Sequence, residues 1–141
     1  MSWDVLLIKA PPEITSLSIK QLPDDFTLKL DSRPNVISLL NEIVPEIQHL
    51  DIKWARIRTD DFSIEMNIGS NDPIEAVMLH VYGKENSIQV IKRICQYTGW
   101  RAYDTSTDSF LDFDEKTLDS FSRWKSYKER IIEFINSTKK E

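Results

Sequence analysis

A chain of 141 residues, 40% apolar and 29% charged, is long enough to form one domain with its own hydrophobic core. Its net charge of −5 argues against nucleic acid or an anionic membrane as partner, because both are bound by clustered Lys and Arg. A single cysteine excludes an internal disulfide framework and any multi-cysteine metal site. No signal-peptide pattern and no apolar run of about 18 residues is visible, so a cytoplasmic protein is expected.

The first third of the chain predicts a strand, a surface segment and a helix. Residues 3–9 are rich in aromatic and branched side chains, which favours a strand, and two prolines end it. Residues 13–30 have no clean period and predict a long surface segment. A helix is expected to begin at Ser32 and to end before Pro45, because apolar residues follow at spacings of three and four.

The middle of the chain predicts three successive antiparallel strands. Residues 48–53 are expected to form a connector, and residues 54–59 alternate small or apolar side chains with arginines. Residues 62–68 alternate apolar and polar side chains, which is typical of a half-buried strand. Residues 75–82 are apolar on nearly both sides, which places this strand in the interior of the sheet.

The last part predicts a helix, a hairpin and a final long helix. Residues 84–98 carry one apolar stripe, with Asn86 expected as the cap and Gly99 as the left-handed residue after the end. Residues 100–104 and 109–113 predict a hairpin. An amphipathic C-terminal helix is expected at about residues 115–137.

Together these elements predict one α+β domain that spans residues 1–141. The expected order is β-α-β-β-β-α-β-β-α, in which helices are separated by runs of strands. Such an order favours a mainly antiparallel sheet with the helices packed on one face.

Three segments carry a resemblance to other sequences. They are SWDVLL at residues 2–7, DFSIEMNIGSNDPIEAVMLHVYG at 61–83 and TGWRAYDTSTDSFLDFD at 98–114. These segments resemble a family of small bacterial proteins with no assigned activity. The chain departs from the family at Tyr82, where a basic residue is common, and at Asp108, where the turn usually has glycine. The resemblance implies a shared fold and a bacterial source, and the departure at Tyr82 argues against an anion site on that strand.

The candidate site is a polar patch on one face of the predicted sheet. In adjacent antiparallel strands, residues of like parity share a face and cross-strand pairs lie about 5 Å apart. The residues expected to converge there are Glu65, Asn67, His80 and Tyr82, with Trp100 or Asp104 completing the patch from the last hairpin. The alternative is an ordinary solvated face on which His80 pairs with Glu65 for stability.

Two classes of function are compatible with this sequence. The first is a non-catalytic protein-binding module, in the manner of the immunity proteins that neutralise toxins, with another protein as partner. The second is a small ligand-binding protein or enzyme that uses the polar face around Glu65 and His80. No nucleophile beside a base and no glycine-rich phosphate loop is visible, so no catalytic residue, metal site or cofactor is predicted. The chain is expected to be a monomer or a homodimer.

Overall fold

The structure is a computed structural model that describes residues 2–11, 14–15, 28–113, 121–122 and 124–125. Its strands are β1 Trp3–Ile8, β2 Gln48–His49, β3 Trp54–Arg58, β4 Phe62–Asn67, β5 Val77–Gly83, β6 Arg101–Asp104 and β7 Ser109–Phe110. Its helices are α1 Arg33–Ile43 and α2 Ser87–Thr98. Residues 121–122 and 124–125 are also helical.

All seven strands form one sheet in the order β2-β3-β4-β5-β1-β6-β7, and every neighbouring pair is antiparallel. The prediction of an α+β fold with a mainly antiparallel sheet is therefore confirmed. Strand β5 is the middle strand, with three strands on each side. Its antiparallel pairing with β4, predicted from the alternation of apolar residues, is also confirmed.

Strands β1, β4, β5 and β6 alternate between a buried face and a half-exposed one, as the two-residue period of a strand requires. We call the first the buried face. Its residues are Trp3, Val5, Leu7, Ala55, Ile57, Phe62, Ile64, Met66, Val77, Leu79, Val81, Ala102 and Asp104. We call the second the outer face. Its residues include Asp4, Leu6, Trp54, Arg56, Glu65, Asn67, Met78, His80, Tyr82 and Tyr103.

Both helices contribute an apolar stripe to the same core as the buried face. Helix α1 buries Val36, Leu40 and Ile43, and helix α2 buries Ile88, Ile91 and Ile94. These side chains belong to one hydrophobic cluster with the buried face, and α2 contacts α1, β4 and β6. Within the described ranges, no helix is long and apolar enough to cross a membrane.

Apart from shifts of one to three residues at strand ends, the structure differs from the sequence prediction before β3 and at the start of α2. The predicted connector 48–53 contains the short strand β2, which pairs Gln48 with Arg56. Helix α2 begins at Ser87, three residues after the predicted start, with Asn86 at the predicted N-cap position but without a side-chain capping hydrogen bond. The Asn86 side-chain amide donates instead to Asp61 Oδ2 at 2.8 Å. The predicted segment 13–30 and the predicted helix 115–137 lie largely outside the described residues.

The corner where β5 ends beside β4 requires glycine. Gly83 has φ +102°, and a Cβ built on it would lie 2.4 Å from the backbone oxygen of Asp61 and 2.8 Å from Cα of Phe62. Both atoms belong to the backbone and cannot rotate away. The same corner is bridged by Lys84 Nζ, 3.3 Å from Asp61 Oδ1. The hydrogen bonds from Lys84 and Asn86 lower the pKa of the Asp61 carboxyl.

Arg33, the first residue of α1, fastens the helix to two loops beside the sheet. Its guanidinium donates to the backbone oxygens of Ile52 at 2.8 Å and Asn71 at 3.2 Å, and also to that of Gly69. Its own backbone N–H donates to Asp72 Oδ1 at 2.9 Å. One side chain therefore satisfies three carbonyl groups in the β2–β3 and β4–β5 loops.

Candidate functional site

A row of polar side chains crosses the outer face at right angles to the strands. The register pairs Gln48 with Arg56, Arg56 with Glu65, Glu65 with His80, and His80 with Asp4. We call these five residues the charged row. Neighbouring strands lie about 4.8 Å apart, so Arg56 and Asp4 are about 14 Å apart along it. At one end of the row, Arg56 Nη2 donates to Gln48 Oε1 at 3.1 Å.

His80 lies at the middle of the charged row and is held by Asp4. Its Nδ1 lies 2.8 Å from Asp4 Oδ1, and the Ser2 hydroxyl donates to the same carboxylate oxygen. A carboxylate can only accept, so Nδ1 carries the proton and donates it. Nε2, on the other side of the ring, makes no hydrogen bond with the described residues. The result is a carboxylate–imidazole dyad with one ring nitrogen available.

Trp54 fixes the other side of the imidazole. The two ring centroids are 5.9 Å apart and the planes are inclined by 32°. Trp54 lies on β3 and His80 on β5, so the indole reaches diagonally over β4. The side chains of His80 and Asp4 remain 26% and 39% exposed, so the dyad is accessible from solvent.

A second row, mainly apolar and aromatic, runs parallel to the charged row. The register pairs Trp54 with Asn67, Asn67 with Met78, Met78 with Leu6, and Leu6 with Tyr103. Leu50 donates its N–H to the Trp54 backbone oxygen at one end, and Phe110 pairs with Tyr103 at the other. We call this the apolar row; its members are Leu50, Trp54, Asn67, Met78, Leu6, Tyr103 and Phe110. It spans all seven strands, or about 29 Å.

The structure brings four of the six predicted site residues onto the outer face. Glu65 and His80 are direct cross-strand neighbours, and Tyr82 pairs with Ser63 one step along the same two strands. Asn67 is also there, but its side-chain oxygen accepts the backbone N–H of Gly69 at 3.1 Å and stabilises the turn after β4. The side-chain hydrogen bond of His80 goes to Asp4, not to the predicted partner Glu65.

The other two predicted site residues lie on the buried face. Trp100 is 5% exposed and belongs to the hydrophobic core. Asp104 is fully buried, and its Oδ1 accepts from the backbone N–H and the hydroxyl of Ser106 at 2.9 and 2.6 Å. Its Oδ2 makes no hydrogen bond with the described residues. The two residues share the parity of Ala102 in β6, which points them away from His80.

Asp4, Trp54 and Arg56 are among the outer-face residues that the sequence reasoning missed. The sequence does distinguish Asp4, because it is the one charged residue in an otherwise apolar strand. Its position beside His80 has no such signal, since β1 and β5 are more than 65 residues apart in the chain. Trp54 and Arg56 share parity on a predicted strand, but their closeness to His80 depends on the register of three strands.

Three other side chains, Cys95, Tyr103 and Arg101, have pKa values shifted by burial. Burial raises the pKa of the Cys95 thiol to about 12, so this thiol stays protonated at neutral pH. Burial, followed by the hydrogen bond to Asp108, raises the pKa of the Tyr103 hydroxyl. Arg101 lies over the Phe110 ring at 3.7 Å, and desolvation lowers its pKa. Among the described residues, no group of three or more His, Cys, Asp or Glu is placed to hold a metal ion.

Comparison of the chain with family models, with curated proteins and with solved structures found no match.

Proposed function

We propose that this protein is a non-catalytic protein-binding module of the cytoplasm, in the manner of immunity proteins, and that it binds another protein chain through its outer face. We infer that helices α1 and α2 cover the buried face and that the outer face is the working surface. The observation that carries the proposal is the pairing of the charged row with the apolar row on one half-exposed sheet face.

The side chains of these two rows suit a protein interface. Interfaces are enriched in Trp, Tyr, Phe, Met and Arg, and depleted in Lys. The outer face presents Trp54, Met78, Tyr103 and Arg56, and none of its strand positions holds Lys. The indole ring of Trp54 and the imidazole ring of His80 already pack against each other, so little side-chain entropy is lost when a partner covers them.

A photo-crosslinking experiment in the cells of origin tests this proposal with two matched tyrosines. Tyr82 lies on the outer face, whereas Tyr97 lies on α2 and is 56% exposed. A benzophenone amino acid at position 82 should form a crosslink to another protein chain that excess wild-type protein suppresses. The same probe at position 97 should not. Crosslinks at position 97 alone, or equal crosslinks at both positions, would contradict the proposal.

The Asp4–His80 dyad supports a second candidate, a ligand-binding protein or enzyme that uses the region around Glu65 and His80. A carboxylate on Nδ1 orients the imidazole and leaves Nε2 to accept a proton or a hydrogen bond from a ligand. Trp54 offers a flat apolar surface beside the imidazole ring.

A small-fragment screen observed by NMR distinguishes the two candidates. If the second is right, fragments with a hydrogen-bond donor should shift the His80 ring signals, and His80→Ala should abolish their binding. The control Tyr97→Ala should bind the same fragments as the wild type. Fragments that bind equally to the wild type and to His80→Ala would exclude the dyad as a ligand site.

A further inference from the structure

The order of charges in the charged row points to a specific partner for the outer face. Read across the sheet from β3 to β1, the row is Arg56, Glu65, His80 and Asp4. Basic side chains therefore alternate with acidic ones. The boundary between β4 and β5 divides this sequence into two halves. Positions at equal distances from that boundary carry opposite character: Glu65 is matched by His80, and Arg56 by Asp4.

Such a row is complementary to itself. We infer that the outer face is an isologous interface between two copies of this chain, an assignment that rests on the protein-binding function proposed above. A two-fold axis parallel to the strands, above the β4–β5 boundary, would place Arg56 of one copy over Asp4 of the second copy. It would place Glu65 over His80 in the same way. An axis parallel to the row would instead oppose Arg56 to itself, so the charges select the first arrangement.

The apolar row obeys the same symmetry. The axis that pairs the charges places each row over the same row of the second copy, because rotation about a strand direction does not move positions along the strand. Trp54 then faces Leu6 of the second copy, and Leu50 faces Tyr103 of the second copy. Leu50 is 53% exposed, so its burial would remove apolar surface that water otherwise contacts. Charged and apolar contacts are thus satisfied together.

The geometry of packed sheets permits these contacts. Aligned sheets cross at about 30°, and Arg56 and Asp4 lie about 7 Å from the axis, so the crossing displaces them by about 4 Å. The long arginine side chain spans that offset. The face measures about 29 Å by about 20 Å, or about 580 Å², which is close to the lower limit of about 600 Å² per partner for a standard interface. We therefore expect a dimer that dissociates on dilution.

Self-association and the binding of a different protein would exclude each other, because both need the same side chains. The dimer is thus the form of the protein that exists before a different partner occupies the outer face. The molar mass of the full chain as a function of its concentration reports which form is present.

Sedimentation equilibrium from about 10 to 500 µM tests the inference on the wild-type chain. The mass should rise from that of a monomer to that of a dimer. Arg56→Asp and Asp4→Arg each place like charges opposite each other, so each should raise the dimer dissociation constant at least about tenfold. An equimolar mixture of the two variants should restore association, because each now faces the opposite charge. Arg93→Asp, on exposed α2, is the matched control and should dimerise like the wild type.

The outcomes separate the inference from the proposed function. A wild-type chain that is monomeric over the whole range overturns the inference, even if a variant fails to fold. If the probe at Tyr82 still captures a different protein, the binding function stands without self-association. If neither charge reversal weakens the dimer, or if the mixture of the two variants does not restore it, the outer face is not the dimer interface. If the probe at Tyr82 captures nothing, not even a second copy, both proposals fail.

Discussion

Asp4 Oδ1 lies 2.8 Å from Nδ1 of His80 and joins strands β1 and β5 through a side-chain hydrogen bond at the centre of the sheet. Glu65, on the opposite neighbour of β5, is in direct register with His80 as well. His80 is therefore flanked by two carboxylates, and the structure gives the hydrogen bond to the one that is 76 residues away in sequence. Mutation can measure the free energy with which each carboxylate interacts with His80.

The first prediction concerns the strength of that pair. Both side chains are partly exposed, so solvent screens the interaction, and the coupling free energy should be about 0.5–1 kcal/mol. A double-mutant cycle with Asp4→Ala and His80→Ala, followed by urea unfolding at neutral pH, measures it. The cycle with Glu65→Ala and His80→Ala is the control and should give a coupling near zero. A larger coupling for Glu65 than for Asp4 would show that His80 bonds to the other carboxylate in solution.

The contrast between these two carboxylates shows what the sequence can and cannot predict. The alternation in residues 62–68 and 75–82 predicts the β4–β5 pair, because a two-residue period is a local property. The neighbour of β5 on its other side is β1, from the start of the chain, and local pattern carries no information on such a distant pairing. Glu65 was therefore predictable as a neighbour of His80, and Asp4 was not.

Trp100 and Asp104 illustrate a different limit. Strand β6 is Arg101–Asp104, and its alternate positions mix polar and aromatic residues, so hydrophobic periodicity does not distinguish the two faces. The tertiary fold buries Trp100 in the core and uses Asp104 to fasten the β6–β7 turn through Ser106. A charged residue on the buried face is uncommon, which is why the sequence favoured the opposite placement.

The second prediction concerns the corner at Gly83. An alanine there would meet the Asp61 backbone oxygen at 2.4 Å and would also adopt a φ that side chains disfavour. Gly83→Ala should lower the free energy of unfolding by about 2 kcal/mol or more. Gly69→Ala is the matched control: φ is +73°, but no atom lies within 4 Å of the added Cβ, so the loss should be about 1 kcal/mol. Equal losses in thermal or urea unfolding would mean that the close contact has no effect.

The third prediction concerns Arg33. Two of its three hydrogen bonds to backbone carbonyls hold the β4–β5 loop against α1, and the third reaches Ile52 in the β2–β3 loop. Arg33→Lys keeps the charge but cannot reach three acceptors from one planar group, so stability should fall by about 1–3 kcal/mol. Amide hydrogen exchange should accelerate in residues 68–74. The neighbouring exposed Asn35→Ala should change exchange in that loop little, since the Asn35 side-chain amide donates to Asp31 and not to the loop in the part of the chain that the structure describes. An unchanged exchange rate in Arg33→Lys would show that the loop holds its conformation without the guanidinium.

The fourth prediction concerns the pH dependence caused by Cys95. Burial raises the pKa of this thiol from 9.0 to about 12, so at pH 8 the thiolate fraction falls about a thousandfold relative to the unfolded chain. Native protein should therefore react with a disulfide reagent far more slowly than urea-unfolded protein.

The unfolded thiol ionises near pH 9 while the folded one keeps its proton, so the stability due to this group is present below pH 9 and is lost between pH 9 and 12. The difference in unfolding free energy between wild type and Cys95→Ala should shift against the wild type as pH rises through this window. A difference that stays constant from pH 7 to pH 11, or a native thiol that reacts as fast as the unfolded one, would show that Cys95 ionises without hindrance in the folded protein.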